Sequence, residues 1–573
     1  MKTPYSASDW FSKDLPASLT VVCLAAPQCI AYAIIAGIPP VVGLYAATIP
    51  TMVAALLRSS RLTVTGPTNA ISLLVFTGVM ALPSESATVV AFTLALMAGV
   101  MQLILYLCRL ENLISFVSQP VVVGYITGAA VLIGISQLPN ISRTTAVGDT
   151  ILQQVYSWVN HLSDAHGPSI GVGISTIAVT LVLRYWNKRL PADMLALVVV
   201  TAAVYAVGKD LGIRCVQDLS PIPNGLPQLS FPKIELMVDL APLAFAIAML
   251  SLVESTSVSR SIASRIGEAI DLRKEVLGQA LANISAGFLS GYPTSGSLAR
   301  SALNESSQAA SRMSAFMSGV WMILIILIFG DAVNHVPLPA LGGLLLLIAY
   351  RLVRISVIKN ILRSTRSDRW ALIATMIGTW LLPLDKAIYA GVVISIVGFL
   401  QRTRKLSSTP IRLDPYGYVE ATVSKPQHET DSICQNINIV QIEGTLYFAS
   451  ENSLMESLNN TVLHTKSENI IVRFRRTQHM DYTIANTLII AAKNLHKQNR
   501  RLFIVGLKSE EAHWLHSVDS DGVFNETNVY PTQTRWFDAM HRAIEHAATT
   551  SNCAKSICCP LQHHLKSPNA PQH

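Results

Sequence analysis

Charged residues are scarce in this sequence of 573 residues. Asp, Glu, Lys and Arg together make up 14% of the chain, whereas hydrophobic residues make up 51%, and the mean hydropathy is +0.42. A chain with so little charge is difficult to fold as a water-soluble protein. The composition therefore predicts an integral membrane protein.

Cysteine patterns and enzyme motifs are also lacking. The eight cysteines are scattered, without the spacing of a zinc site or a disulfide framework. Cys558-Cys559 and three tail histidines (His563, His564 and His573) leave metal binding or lipidation open, but a frayed polar tail is the favoured interpretation. No His-Glu-x-x-His, Gly-x-Ser-x-Gly or P-loop motif falls in a hydrophobic run. We therefore predict no cofactor, no metal and no enzymatic activity.

Hydrophobic runs recur from about Leu15 to about Leu400 and then cease. Roughly twenty apolar residues cross about 30 Å of hydrocarbon. The first run lacks a signal-peptidase-like end, so we interpret it as a retained helix. The predicted spans are 15–36, 41–57, 67–82, 87–108, 113–138, 169–185, 191–208, 239–264, 275–290, 297–305, 313–331, 337–351, 370–384 and 386–401.

Lys and Arg are concentrated in alternate loops, at 58–61, 184–189, 265–274, 351–369 and 402–405. Cytoplasmic loops carry such an excess, so both termini are predicted to be cytoplasmic. This topology needs an even number of crossings, and the fourteen predicted spans, which include the short segments at 67 and 297, meet that requirement. The same loops account for much of the net charge of +8 without nucleic acid as a partner.

Two hydrophobic runs are interrupted by similar sequences, at 62–69 and 292–300. In each, a short β-prone stretch passes through a glycine, Gly66 or Gly296, into an apolar segment with helical character. Each new helix would then begin inside the membrane. Because the start of a helix leaves backbone N–H groups free and is the positive end of its dipole, the pair predicts a buried anion site.

A polar patch lies about forty residues before each interruption, at 27–33 and at 253–259. Matching features at matching offsets are expected of a transporter built from inverted repeats. In the first patch Pro27 should kink its helix, and Gln28 and Tyr32 are four residues apart and so share one helix face. We predict that this face lines a central cavity.

Glu254 is an acid in the middle of a predicted span, where ionisable residues are costly and usually functional. Arg300, one turn into the second interrupted helix, is its natural partner. The cation would attract an anion directly or neutralise Glu254 when the site is empty. The alternative is that the two residues pair only to hold helices together.

Several ordered motifs resemble the SulP anion transporters, the bacterial relatives of solute-carrier family 26. The similarity covers nearly the whole chain and rests on seven stretches: Ala26–Ala33, Ala36–Tyr45, Gly66-Pro67, Val253–Ser255, Leu281–Asn283, Gly291–Pro293 and Ser297–Ser301. It implies fourteen transmembrane segments in two inverted seven-segment repeats that form a core domain and a gate domain. It also places the site on segments one, three, eight and ten.

The resemblance assigns site positions residue by residue. Gln28 and Tyr32 match positions of the first segment, and Gly66-Pro67 matches the start of the third. Glu254 matches the acid of the eighth, and Ser297 and Arg300 match the start of the tenth. The predicted substrate-binding residues are Gln28, Tyr32, Thr65, Gly66, Gly296, Ser297 and Arg300, with Glu254 for coupling.

The remaining tail has an α/β pattern: strands at 437–442, 470–474 and 501–506 and a helix at 485–496. Val440–Ala449 resembles the opening of a STAS domain, the cytoplasmic module of this family. Tyr482 stands where some STAS proteins carry a phosphorylated Ser, so regulation by this phosphorylation is not expected. A structural, dimer-supporting role is predicted for the domain. The predicted domains are a cytoplasmic N-terminus (1–14), a transporter domain (15–405), a linker (406–431), a STAS-like domain (432–547) and a disordered tail (548–573).

We therefore predict a homodimeric secondary transporter of a small anion in the bacterial inner membrane, with sulfate chosen on the resemblance alone. The family resemblance suggests an elevator-like motion. Bicarbonate, chloride or a dicarboxylate suits the same donors. Proton symport or exchange is favoured over sodium coupling, because Val258 stands where sodium-coupled relatives carry a hydroxyl. The alternative from a different functional class is a membrane signalling scaffold centred on the STAS domain.

Overall fold

The computed structural model describes most of the chain, in two compact units within Met1–Ile396 and Val397–His573. The cysteine- and histidine-containing tail lies outside the described residues. These residues are 10–111, 114, 117–144, 151–187, 191–207, 211–219, 225–413, 419–421, 436–463, 467–475, 480–532 and 538–550.

In its described residues the first unit is helical, with two very short strands. Among the described residues, nine helical stretches are long and apolar enough to cross a membrane, and two further apolar helices are shorter. Each of the fourteen predicted spans overlaps a helix or a broken pair of helices. The elements are α1 (Leu15–Ile35), α2 (Pro40–Ala46), α3 (Ile49–Leu57), β1 (Thr65–Gly66), α4 (Asn69–Ala81), α5 (Ala87–Leu107), α6 (Gln119–Ser142), α7 (Ile151–Asn160), α8 (Gly167–Trp186), α9 (Ala192–Val207), α10 (Met237–Ile266), α11 (Leu272–Phe288), β2 (Ser295–Gly296), α12 (Leu298–Ser306), α13 (Met313–Asn334), α14 (Leu338–Leu352), α15 (Ile355–Leu362), α16 (Arg366–Leu381) and α17 (Leu384–Thr403).

The second predicted span is broken rather than continuous. Helix α2 ends at Ala46, and α3 begins at Ile49 with Pro50 in its first turn. Proline has no N–H, and its ring clashes with the carbonyl of the residue four positions earlier, here Ala46. The chain therefore restarts its helix at a position where proline is tolerated.

Glycines bring α5 and α11 close together. A Cβ added at Gly99 of α5 would lie 2.6 Å from the backbone nitrogen of Ile284 and 2.8 Å from the carbonyl oxygen of Ala280, both on α11. A Cβ at Gly287 of α11 would lie 2.8 Å from the backbone nitrogen of Leu96 on α5. Small residues at such contacts let helix backbones approach closely, which stabilises helix pairs in a membrane.

Gly99→Ala should destabilise the membrane unit by about 1–3 kcal/mol, because backbone atoms must move to admit the new methyl group. Gly171→Ala is the matched control, since Gly171 is also within a helix, α8, but its Cβ would meet nothing within 4 Å. The control should be neutral or slightly stabilising, because alanine favours helix more than glycine does. Thermal unfolding in detergent measures both, and equal midpoints for the two variants would contradict the packing argument.

The second unit is an α/β domain with a six-stranded sheet among its described residues, in the strand order β4-β3-β5-β6-β7-β8. Strands β5 to β8 are parallel, and β3 runs antiparallel to both β4 and β5. One apolar cluster contains Ile442, Leu488 and Ile504, and a second contains Ile439, Ile471 and Ile544. The elements are β3 (Ser407–Leu413), β4 (Val419–Ala421), β5 (Ile437–Glu443), α18 (Glu451–Leu463), β6 (Asn469–Arg475), α19 (Tyr482–Lys497), β7 (Arg501–Val505), α20 (Ser509–Val518), β8 (Val529–Tyr530) and α21 (Asp538–Thr550).

The three predicted strands and the predicted helix of this unit coincide with β5, β6, β7 and α19. Strands β3 and β4 instead fall within 406–431, the range predicted to be a linker. Strand β3 contains Pro410 and pairs with β5 from Ser407 to Ile411. Proline weakens a strand signal in the sequence, which explains why this antiparallel addition was not predicted.

Candidate functional site

The two interrupted segments meet inside the membrane unit. Strands β1 and β2 pair antiparallel, with Thr65 opposite Gly296 and Gly66 opposite Ser295. The backbone N–H of Ser297 also donates to the carbonyl of Val64 at 2.9 Å. Helices α4 and α12 begin immediately after this pairing, so the two helix starts are held beside the same short sheet.

Side chains of α12 anchor the first interrupted segment. The Ser301 hydroxyl accepts a hydrogen bond from the backbone N–H of Val64 at 2.8 Å. The Asn304 amide donates to the carbonyl of Leu62 at 3.1 Å. Backbone groups that no helix satisfies thus find partners from the opposite half of the unit, as burial in a membrane protein requires.

A buried amide network anchors the second interrupted segment. Asn283 Oδ1 accepts from the backbone N–H of Thr294 at 2.7 Å, and Asn283 Nδ2 donates to Gln102 Oε1 at 3.0 Å. Gln279 Nε2 donates to the carbonyl of Thr294 at 2.7 Å. This support was not predicted, although Asn283 belongs to one of the stretches that resemble the SulP family.

Both glycines of the sheet are required by close contacts. A Cβ at Gly296 would lie 2.8 Å from the Cα of Ser255 on α10. Gly66 has a φ of +152°, which side-chain-bearing residues rarely adopt, and its Cβ would lie 2.5 Å from Arg300 Nη1. Gly66 therefore provides the space in which the guanidinium group of Arg300 lies.

Arg300 is buried, with 1% of its surface exposed. Its Nη2 donates to the carbonyl of Pro67 at 2.5 Å, and its Nη1 contacts the Cys29 sulfur at 3.7 Å. Its Nε has no hydrogen-bond partner. The described residues contain no ion pair of Arg300 with an acid, so the direct pairing with Glu254, one of the two predicted arrangements, is not formed.

Glu254 is partly exposed on α10 and accepts a hydrogen bond from Thr68 Oγ1 at 3.0 Å. Thr68 is the N-cap residue of α4, but its side chain makes no capping hydrogen bond to that helix. An N-cap hydroxyl ordinarily accepts from a backbone N–H of the first turn. Here the hydroxyl donates to the acid and makes no capping hydrogen bond, so the first backbone donors of α4 lack this partner.

Five buried polar atoms around the crossing have no hydrogen-bond partner within the described structure. They are Gln28 Oε1, Thr65 Oγ1, Asn69 Nδ2, Ser255 Oγ and Arg300 Nε. Leaving such groups unpaired in a low-dielectric interior is costly, so unpaired polar atoms that cluster mark a place for a ligand or water. Hydroxyls and N–H donors predominate, which suits an anion.

Six of the predicted site residues lie at or beside this crossing: Thr65, Gly66, Glu254, Gly296, Ser297 and Arg300. Gln28 and Tyr32 are buried on α1, next to the Cys29 that contacts Arg300. Asn69 and Ser255 were missed, although each lies within a polar stretch that the sequence singles out. The available signals were their positions: Asn69 is the first residue of a half-helix, and Ser255 is the neighbour of Glu254.

A family comparison decides the identity. The sequence profile of the sulfate permease family matches residues 11–375, and that of the STAS domain matches residues 429–534. The chain belongs to the sulfate permease family. The SulP and STAS resemblances predicted from the sequence are confirmed.

This member of the sulfate permease family has bacterial relatives of similar sequence. It is 29% identical to a putative sulfate transporter of Bacillus subtilis over 520 residues, which cover 90% of this chain and 94% of the relative. It is 31% identical to a probable sulfate transporter of Mycobacterium tuberculosis over 403 residues, 69% of this chain and 71% of the relative.

Solved structures confirm the predicted fold class. The chain is similar to a structure of solute carrier family 26 member A9, with a TM-score of 0.84 and 18% identity over 98% of this chain and 93% of that one. It is also similar to the transmembrane domain of a cyanobacterial bicarbonate transporter, with a TM-score of 0.58 and 20% identity over 68% and 97% of the two chains.

Gly66→Ala should destabilise this protein by about 1–3 kcal/mol, because the new methyl group meets the Arg300 guanidinium group. Gly267→Ala is the matched control: its φ is also positive, at +68°, but nothing lies within 4 Å of its Cβ. If the contact is the cause, Arg300→Ala should cost less in the Gly66→Ala background than in the natural protein. Thermal unfolding in detergent measures all four variants, and additive effects would contradict the proposed contact.

Proposed function

We propose that this protein is a secondary active transporter of a small inorganic anion, with sulfate as its substrate. The cluster of unpartnered buried polar atoms at the crossing of β1 and β2 carries this proposal. It combines an arginine with a free N–H, an amide donor and two hydroxyls between two helix starts. Charge-assisted hydrogen bonds and helix N-termini bind oxyanions strongly. The relatives named as sulfate transporters support the choice of substrate.

In this proposal the anion lies between the starts of α4 and α12. Arg300 supplies the positive charge, and the hydroxyls of Thr65 and Ser297 are available for hydrogen bonding to the anion. Gln28 and Tyr32 close the site from α1. Gly66 and Gly296 allow the backbone and the arginine to come close enough to the substrate.

An elevator-like motion fits the way the membrane unit packs. Helix α6 packs against α14 and α16, and α14 packs against α8. The helices that carry the site form another bundle, in which α11 packs against α3 and α5. We propose that the site-bearing bundle is the core domain and that it moves against the α6-containing gate domain.

Accumulating a doubly charged anion against a negative-inside potential needs a driving ion, because each charge loses about 2.3 kcal/mol per 100 mV. Glu254 is placed to couple this transport to protons. Its hydrogen bond reaches Thr68 at the start of α4, which is one of the two helix starts proposed to hold the anion. A proton on Glu254 would remove a negative charge beside the anion. Proton symport is therefore the primary proposal, and anion exchange is the alternative.

We place the protein in the bacterial inner membrane with both termini in the cytoplasm, following the loop charges. The domain limits remain those predicted from the sequence, apart from the two strands found in the linker range. The STAS domain is proposed to support a homodimer. In its described structure Tyr482 is exposed and Asp481 Oδ1 accepts from the backbone N–H of Ile484, so Asp481 caps α19.

Uptake of radiolabelled sulfate by proteoliposomes tests the anion site. Arg300→Ala should lower uptake by about ten- to hundredfold, because charge-assisted hydrogen bonds contribute about 1.5–3 kcal/mol each. Arg265→Ala is the control, since Arg265 is an exposed arginine paired with Glu305 at the far end of α12. Equal uptake by the two variants would show that Arg300 is not part of the anion site. Competition by bicarbonate, chloride and succinate identifies the substrate. If the protein transported none of these anions, the alternative of a membrane signalling scaffold centred on the STAS domain would be favoured.

Glu254→Gln tests the coupling separately. This variant should lose the stimulation of uptake by an inward proton gradient while it retains exchange of internal for external sulfate. Glu305→Gln is the matched control, because it neutralises an acid of the same unit outside the site. If the natural protein needed sodium and ignored an imposed pH gradient, proton coupling would be wrong and the sodium-coupled alternative would replace it.

A further inference from the structure

A cationic and apolar surface is formed by α15, the residues that flank it and the first turns of α16. We define this α15 surface by eight residues: Arg354, Ile355, Lys359, Leu362, Arg363, Arg366, Arg369 and Trp370. All eight are exposed. The exposed fractions of the apolar members are 58% for Ile355, 40% for Leu362 and 63% for Trp370.

Helix α15 is amphipathic and none of its residues is buried. Ile358, Ile361 and Leu362 have the i, i+3, i+4 spacing that places them on one face, whereas Ser356 and Asn360 lie on the other. A helix of this kind normally buries its apolar face against protein or in the boundary of a bilayer. In the described structure α15 contacts α6 and α16, yet Ile355 and Leu362 remain exposed.

Acids are scarce in the sequence around these cations. Between residues 351 and 369 the sequence has six Lys or Arg residues and a single acid, Asp368. Within the described part of the chain, Lys359, Arg363 and Arg366 form no ion pair, whereas other exposed cations of the same unit, such as Lys233 and Arg265, do. The positive-inside rule accounts for the side of the membrane on which these charges lie. It does not account for an amphipathic helix that presents them beside exposed apolar side chains.

We propose that the α15 surface binds the headgroups of anionic phospholipids, with its apolar residues inserted at the edge of the hydrocarbon. The helix follows α14 after two residues and precedes α16 by three. Helices α14 and α15 lie together in one stretch, Leu338–Leu362, that is long and apolar enough to cross a membrane. This short tether keeps it close to the bilayer surface. Basic residues beside an exposed aromatic and aliphatic face attract anionic lipid and exclude a purely aqueous partner.

The test uses the purified full-length protein in detergent, titrated with phosphatidylglycerol or with phosphatidylcholine. Bound lipid is counted by native mass spectrometry, and thermal unfolding is followed in parallel. Phosphatidylglycerol should bind at least fivefold more tightly than phosphatidylcholine and raise the unfolding midpoint. The variant K359Q/R363Q/R366Q should lose this preference.

The matched control is K497Q/R501Q/K508Q, which removes three exposed cations from the second unit. It should keep the preference for phosphatidylglycerol. Ile355→Ser with Leu362→Ser should weaken the binding of both lipids, which separates insertion from charge. Glycerol 1-phosphate should give no midpoint shift, because it lacks acyl chains.

Three results would overturn the proposal: an undiminished preference in K359Q/R363Q/R366Q, an equal loss in the control, or an equal shift with glycerol 1-phosphate. The last result would identify a site for free phosphate in place of a lipid surface. The readouts do not depend on transport, so they remain valid if the proposed substrate or coupling ion is wrong.

Discussion

The pairing of Thr65-Gly66 with Ser295-Gly296 is the constraint on which the rest of the membrane unit depends. Extended backbone inside a bilayer must find all its hydrogen-bond partners in protein. Each interrupted segment therefore needs the other, and neither half of the unit can form its helix start alone. The hydroxyl of Ser301 and the side-chain amides of Asn304 and Asn283 provide hydrogen bonds to further backbone groups of these segments. Each interruption alone would leave buried backbone groups without hydrogen-bond partners, whereas the two together form one ordered, hydrogen-bonded crossing.

The burial of Arg300 follows from this pairing and explains why the site suits an anion. A buried cation is costly unless it is compensated, and the described residues supply only the Pro67 carbonyl and the Cys29 sulfur as close contacts. A carboxylate held directly against the guanidinium group would compensate the charge permanently and would compete with any substrate. The arrangement instead leaves Nε unpaired, so a bound anion would supply the missing counter-charge.

Much of this organisation could be predicted from the sequence because its signals are local. Hydrophobic length locates the helices, and Gly66 and Gly296 mark the interruptions. The separation of Glu254 from Arg300 could not be predicted, because residue spacing does not tell whether two side chains on different helices point toward each other. Asn69 and Ser255 were missed for a similar reason: their side chains are polar but common, and only the structure shows them buried without partners. Strand β3 was missed because its partner β5 is distant in sequence and Pro410 masks its pattern.

The two halves contribute differently to the crossing, and this asymmetry bears on coupling. The second half provides the cation and a capped helix start, since the Ser297 hydroxyl accepts from the backbone N–H of Arg300. The first half provides a helix start whose cap residue, Thr68, donates to Glu254 instead. In the proposed coupling, a proton on Glu254 would weaken that hydrogen bond and leave the Thr68 O–H available to donate to a bound anion. The charge state of the acid would then be linked to the donors offered to an anion through one threonine, without an ion pair between Glu254 and Arg300.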